Sequence, residues 1–193
     1  MHLLQCSIVQ IPIDAVGGTI MGIYNTTVGG DSLPATPGRG VGRYLDTHPP
    51  SNACDNDIET AYQSFGWCPL FSLNLPPGCG HNTGLYFELK SGPTLIIGLR
   101  ICRQHHVARD PDIVSLEGSN QSGINLTLGA SWTLIYQGST EFDNYQPIAK
   151  CSANITFDNT VRYSSYRFLV LKTDTDTDMA EYSEVQLYTN TLA

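Results

Sequence analysis

Asp55-Asn56-Asp57-Ile58-Glu59-Thr60-Ala61-Tyr62 gathers side-chain oxygens at short spacing, with no helix-forming run to separate them. Near the other end, Tyr182-Ser183-Glu184-Val185-Gln186-Leu187 sets a lone Glu at the head of an alternating apolar strand. Oxygen donors crowded into a loop suit a hard cation such as Ca²⁺, which accepts six to eight oxygens in loose geometry. If the two segments meet, one ion staples the start of the chain to its finish. That arrangement points to a folded extracellular β-domain rather than an enzyme.

Outward from this stretch, short apolar runs alternate with turn clusters, and no helix-period segment of useful length stands out. The 18 Gly and 11 Pro favour many turns. Strands are expected at Gly18–Tyr24, Gly84–Leu89, Leu95–Arg103, Ile113–Glu117, Ser131–Gln137, Ile155–Phe157, Tyr166–Lys172 and Glu184–Tyr188. In Tyr166-Arg167-Phe168-Leu169-Val170 the even positions face one way, as in a half-buried strand. Eight such strands fit two packed antiparallel sheets, an all-β sandwich. Residues 1–13 read as an apolar arm or edge strand that pairs with a sheet edge here or on a neighbouring molecule. Residues 14–193 form the domain proper, and residues 29–50 read as a long irregular loop. Lys172–Asp178 reads as a solvated loop, its alternating carboxylates too alike in charge to sit together.

Composition narrows the partners. A formal charge of −8 with only 10 Lys and Arg argues against a nucleic-acid backbone, which needs clustered cations. The same scarcity leaves phospholipid binding as the weakest reading, and no apolar stretch is long enough for membrane insertion. Met1–Asp14 has neither a basic start nor a long apolar centre, so the expectation is a leader already removed or numbering that begins inside a precursor.

Six cysteines (Cys6, Cys54, Cys68, Cys79, Cys102, Cys151) contain no C-x-x-C pair, which weakens zinc or thioredoxin-type readings and favours disulfides. Cys68 and Cys79 flank the turn-rich Leu75-Pro76-Pro77-Gly78 and are the first pair to join; the other pairings stay open. N-x-S/T sequons at Asn25, Asn120, Asn125 and Asn154 support glycosylation and a secreted, extracellular protein.

The chain resembles the coagulation factor V/VIII type C, or discoidin-like, domain and the related galactose-binding-like carbohydrate modules. The resemblance rests on Asp55–Tyr62, Gly98-Leu99-Arg100-Ile101, Arg109-Asp110-Pro111, Val114–Asn120, Ser131–Tyr136, Ser165-Tyr166-Arg167 and Tyr182–Leu187, in the family's order over about Gly17–Tyr188. It implies an eight-stranded antiparallel jelly-roll β-sandwich and one structural Ca²⁺. Carried over position by position, that ion would take the carboxylates of Asp55 and Glu184, oxygen from Thr60, and carbonyls of Asn52, Asp57 and Ser183. Asn56 stands where a Gly is usual, and Asn tolerates positive φ better than most residues. Tyr62 stands where the family has Trp. Arg109-Asp110-Pro111 looks structural, with the Arg pairing locally.

For a ligand site, a sugar needs polar donors beside an apolar plate. His105 and His106, in the loop after a strong strand, are the candidate donors. Tyr62, Phe65 and Trp67, or Phe142 and Tyr145, could form the plate. Trp67, in a loop beside Cys68, is the better exposed candidate, whereas the alternation around Trp132 marks it as a core anchor. No nucleophile–base signature or metalloprotease motif appears, so catalysis is not expected. The first reading is a secreted non-catalytic recognition module for glycans or glycoprotein surfaces. The alternative is a structural or adhesive subunit of a matrix, coat or filament, a homopolymer assembled through the N-terminal arm.

Overall fold

Turn residues every few positions break the apolar pattern into short strands. The computed structural model describes residues 7–69, 78–104, 107–140, 142, 150–175 and 177–191. In chain order its strands are β1 (Ser7–Ile11), β2 (Met21–Tyr24), β3 (Leu33–Pro34), β4 (Thr36–Pro37), β5 (Arg43–Tyr44), β6 (Tyr62–Ser64) and β7 (Thr83–Glu88). There follow β8 (Gly98–Cys102), β9 (Pro111–Ser119), β10 (Thr133–Ser139), β11 (Ile155–Thr156), β12 (Ser165–Thr173), β13 (Ala180–Tyr182) and β14 (Glu184–Thr191). Each of the eight strands expected from sequence is present, with ends displaced by a few residues. Helix is limited to short 3-10 turns among the described residues, and none is long and apolar enough to cross a membrane.

A six-stranded sheet runs β10-β9-β12-β7-β2-β3 and a four-stranded sheet runs β1-β14-β8-β11; a smaller sheet, β13-β6-β5-β4, closes one end. All pairings are antiparallel except β4 with β5. The two large sheets bury a common core. Leu85, Phe87, Val114, Leu116, Tyr166, Phe168 and Val170 come from one, and Leu99, Ile101, Val185 and Leu187 from the other. Tyr62 and Tyr182 of the small sheet join them, stacked edge-on at 5.6 Å. Spacing of two along each strand is what sends these side chains inward.

The central strand β12 departs from a half-buried pattern. Its even residues face the main core, but Leu169 packs on the opposite side with Ile23, Tyr86, Leu126 and Trp132. The loops of residues 25–32 and 120–132 cover that second face, so β12 is enclosed on both sides. Trp132 is a buried anchor there, donating its indole N–H to Leu126 O at 3.0 Å. Gly84 lets β7 and β12 approach, since a Cβ would stand 2.0 Å from Phe168 O.

Two loops differ from their sequence reading. The Gly29–Pro50 stretch carries three two-residue strands, β3, β4 and β5, rather than a wholly irregular path. Arg109 does not pair locally. Its guanidinium forks onto Asp178 at 3.0 and 3.2 Å and reaches Glu181 at 3.4 Å. The arm residues Ser7–Ile11 pair with β14 of the same chain. Disulfides join Cys68 to Cys79 and Cys102 to Cys151, while Cys54 is a free thiol.

Candidate functional site

The loop between the Pro50–Ala53 turn and β6 is shaped by its own polar side chains. Asp55 Oδ1 accepts the Asp57 amide at 2.9 Å and Asp57 Oδ1 accepts the Glu59 amide at 2.9 Å, two successive Asx turns. Asn56 between them takes φ 63°, a conformation that Asn tolerates. The tight winding brings oxygens together. Thr60 Oγ1 lies 2.9 Å from Asp55 Oδ2, 3.0 Å from Asp57 O and 3.3 Å from Asn52 O.

Glu184, at the head of β14, meets this loop from the far end of the sequence. It is buried, and its Oε1 has no hydrogen-bond partner among the described residues. Its carboxyl is pushed up to about 8, by burial first and then by the hydrogen bond and charge of the Asp55 carboxylate beside it, with the Asn56 and Asp55 backbone amides pulling the other way. Burial also raises the neighbouring Cys54 thiol, with the charges of Glu184 and Asp55 adding to the effect. Ser183 is held through its amide to Cys102 O at 2.8 Å, and its buried hydroxyl lacks a partner among the described residues. Among the described residues no group of three or more His, Cys, Asp or Glu side chains is placed to hold a metal. The donor set here is instead two carboxylates with hydroxyl and carbonyl oxygens, the chemistry that a hard cation takes.

Long contacts clamp the loop to the rest of the molecule. Gln10 of β1 donates to Asn56 Oδ1 at 3.1 Å. Glu59 receives Lys150 at its carboxylate and Gln104 at its carbonyl. His105 and His106 lie outside the described residues. On one side of them is Gln104, and on the other the 3-10 turn Val107–Arg109. Arg109 and Gln63 converge on Glu181, the latter at 2.7 Å, which ties that turn to β6 and β13.

A second feature lies just beyond β6. Trp67 is 56% exposed, and its ring stacks on Tyr24 with centroids 6.3 Å apart and 21° between planes. The backbone around it is fixed by the Cys68–Cys79 disulfide and by the Gly42 amide donating to Gly66 O at 2.8 Å. Gly42 has φ 69°, and a Cβ there would fall 2.5 Å from the Tyr24 ring, so this close approach requires glycine. The result is a rigid aromatic plate facing solvent. Sequence reasoning missed Tyr24; its signal was an aromatic residue ending a strand directly before a turn.

Tyr62 is corrected by the structure. It is fully buried between Tyr44, Tyr182 and Gly84, and its hydroxyl lies 3.3 Å from Gly84 O, so no ligand can stack on it. Phe65 is likewise buried, and Phe142 lies under the Arg103 guanidinium at 5.0 Å. Tyr145 lies outside the described residues. Of the sequon asparagines, all four are exposed. Asn120 uses both ends of its amide, donating to Arg162 O at 3.1 Å and accepting from Ser164 N at 3.0 Å.

No protein-family model matches the sequence, and no curated protein matches it as a relative. Solved structures do match in shape. The chain is similar to the family 32 carbohydrate-binding module of Clostridium perfringens NanJ, solved in complex with galactose: TM-score 0.54 at 13% identity, covering 95% of this chain and 100% of that one. It is similar to the paired family 32 modules of C. perfringens ZmpB, with TM-score 0.59 at 13% identity over 96% of this chain and 41% of that one. The same pair solved with GalNAc gives TM-score 0.55 at 14% identity, over 96% of this chain and 39% of that one. At these identities the likeness establishes the fold, a galactose-binding-like, or discoidin-like, jelly roll.

Proposed function

We propose that this chain is a secreted, non-catalytic recognition module that binds glycans or glycoprotein surfaces. The observation that carries the reading is the Trp67–Tyr24 plate. An exposed ring backed by a second ring and held on a braced backbone is preorganised to stack on the C–H face of a pyranose, with little ordering cost on binding. The fold supports it, because the modules solved with galactose and with GalNAc share it. Two disulfides suit an oxidising, extracellular compartment. The His105-His106 dipeptide remains the candidate source of polar donors.

We further propose that a structural Ca²⁺ takes the carboxylates of Asp55 and Glu184, oxygen from Thr60 and the carbonyls of Asn52, Asp57 and Ser183. The convergence of oxygens on Thr60 and the unpartnered Oε1 of Glu184 support this. Two neighbouring carboxylates repel each other, and a divalent cation relieves that repulsion. When bound, the ion would lock the loop of residues 52–60 to the start of β14. The alternative assembly reading loses part of its basis, because Ser7–Ile11 already serves as a strand within its own chain.

A glycan array with galactose- and GalNAc-terminated ligands tests the recognition reading. The expected result is retention by the wild type and loss of retention by Trp67→Ala with an unchanged melting midpoint. Absence of binding to any glycan, or binding that Trp67→Ala leaves intact, overturns it.

A further inference from the structure

An apolar groove of about 440 Å³ opens on the side of the six-stranded sheet that faces away from the main core, its walls including Val16, Met21, Pro34, Tyr86, Ile124 and Leu126. Ile124 is 79% exposed, and Val16, across the groove, 46%. Apolar side chains gathered at a concavity mark a surface that something covers.

A glycosylation sequon lies at the same place. Asn125-Leu126-Thr127 is an N-linked sequon; its Leu126 and Thr127 are part of the groove wall, whereas Asn125 itself is exposed beside the groove and does not line it. Asn125 is exposed, and no described residue bonds its side-chain amide, in contrast to Asn120. Its backbone is held firmly. The Trp132 indole donates to Leu126 O at 3.0 Å, the Thr127 hydroxyl donates to Ile124 O at 2.8 Å, and the Ser32 amide donates to Thr127 O at 2.8 Å.

We propose that Asn125 carries an N-linked glycan whose first N-acetylglucosamine folds over this groove, setting its acetamido methyl and C–H face against the exposed Ile124 and Val16. N-acetylglucosamine is amphipathic: one face removes apolar surface from water while its hydroxyls stay solvated. A covalent tether also raises its local concentration at the groove, so a weak contact suffices. In the attachment step a polyprenyl-diphosphate-linked oligosaccharide is the donor. The Asn125 Nδ2–C1 bond forms, the C1–O bond to the diphosphate breaks, the diphosphate leaves with that electron pair, and one amide proton is lost. The inference rests on the secreted part of the proposed function and not on glycan recognition, so a failed glycan array leaves it standing.

The test uses the full chain secreted from eukaryotic cells. Peptide mass spectrometry reads occupancy of Asn125. One sample is trimmed by an endoglycosidase to a single N-acetylglucosamine. A second is stripped by an amidase that releases the glycan and leaves an aspartate. Asn125→Gln provides a third, never glycosylated, sample. The expected result is that an environment-sensitive apolar dye binds the stripped and Asn125→Gln proteins and loses that signal in the trimmed one. Ile124→Ser in the stripped protein also removes the signal, which locates the dye in the groove. In the trimmed protein, nuclear Overhauser contacts join the acetamido methyl to the Met21 or Ile124 methyl groups. An unoccupied Asn125, or equal dye signal in trimmed and stripped proteins, overturns the proposal.

Discussion

Arg167 and Glu117 face each other across β12 and β9, both fully buried, joined by hydrogen bonds of 2.7 and 2.9 Å. The pair does not stand alone. Arg167 Nη1 also donates to Gly30 O and Ser32 Oγ, each at 2.9 Å, and its guanidinium lies 4.8 Å from the Trp132 ring centroid. Glu117 Oε1 in turn accepts the Gly29 amide at 2.8 Å. One ion pair thus fastens the Gly29–Ser32 turn over the outer face of the six-stranded sheet. Removing one partner leaves a buried charge with no counter-ion, which costs about 3–5 kcal/mol. Arg167→Ala is expected to lower unfolding stability by that amount in a urea titration. The double variant Arg167→Leu with Glu117→Leu loses less than either single change, because neither charge is stranded. A single-variant loss under about 1 kcal/mol, the range of exposed pairs, contradicts this account.

Calcium dependence gives a second expectation. If the ion binds the folded loop and not the unfolded chain, then at a hundred times its dissociation constant it adds about 2.7 kcal/mol. Metal-free protein should therefore melt at a lower temperature, and added Ca²⁺ should restore the midpoint. Asp55→Ala should abolish the response. An identical midpoint in a sample shown by elemental analysis to be metal-free removes the calcium proposal.

The fold was readable in the sequence because its strands obey a period of two that burial enforces. Val185 and Leu187, or Leu99 and Ile101, can point only one way once a core lies on one side. β12 was only half readable: apolar alternation cannot say that Arg167, an apparent surface residue, is enclosed by a loop more than a hundred positions upstream. In the candidate site, the convergence of Asn52, Asp55, Asp57 and Thr60 is local and follows from Asx-turn chemistry. Tyr62 was misread because a tyrosine after a polar loop looks exposed. Its burial depends on Gly22, where a Cβ would stand 2.8 Å from the Tyr62 hydroxyl. The Trp67–Tyr24 stack joins distant segments through glycine approaches that no local pattern encodes.

The two disulfides close loops of different length, with sequence separations of 11 for Cys68–Cys79 and 49 for Cys102–Cys151. Chain-entropy arguments give about 3 kcal/mol for a loop near the shorter size and about 4 kcal/mol for the longer. Cys102→Ala with Cys151→Ala should therefore cost more stability than Cys68→Ala with Cys79→Ala. The shorter bridge should instead show in ligand binding, since it braces the backbone beside Trp67. The check is paired denaturation and glycan-retention measurements on both double variants. Equal glycan loss in the two would show that the bridge beside Trp67 has no special part.

Asp110 provides a pH signature. It is buried against Arg103 at 3.0 Å. Its carboxyl is pushed up to about 7: burial is the largest influence, Arg103 opposes it by hydrogen bond and charge, and Asp174 and Glu181 add to the rise. An unfolded Asp titrates near 3.9, so between about 4 and 7 the folded state holds a proton that the unfolded state has released. Stability from this group is then fully present below about pH 4 and is lost as pH rises through about 7. Asp110→Asn fixes the neutral form and removes this slope. The difference in melting midpoint, wild type minus Asp110→Asn, should be larger at pH 5 than at pH 8, with the other titrating groups cancelling between the two proteins. If the difference instead grows toward pH 8, the Arg103 ion pair outweighs the cost of burial, and Asp110 is held charged rather than neutral.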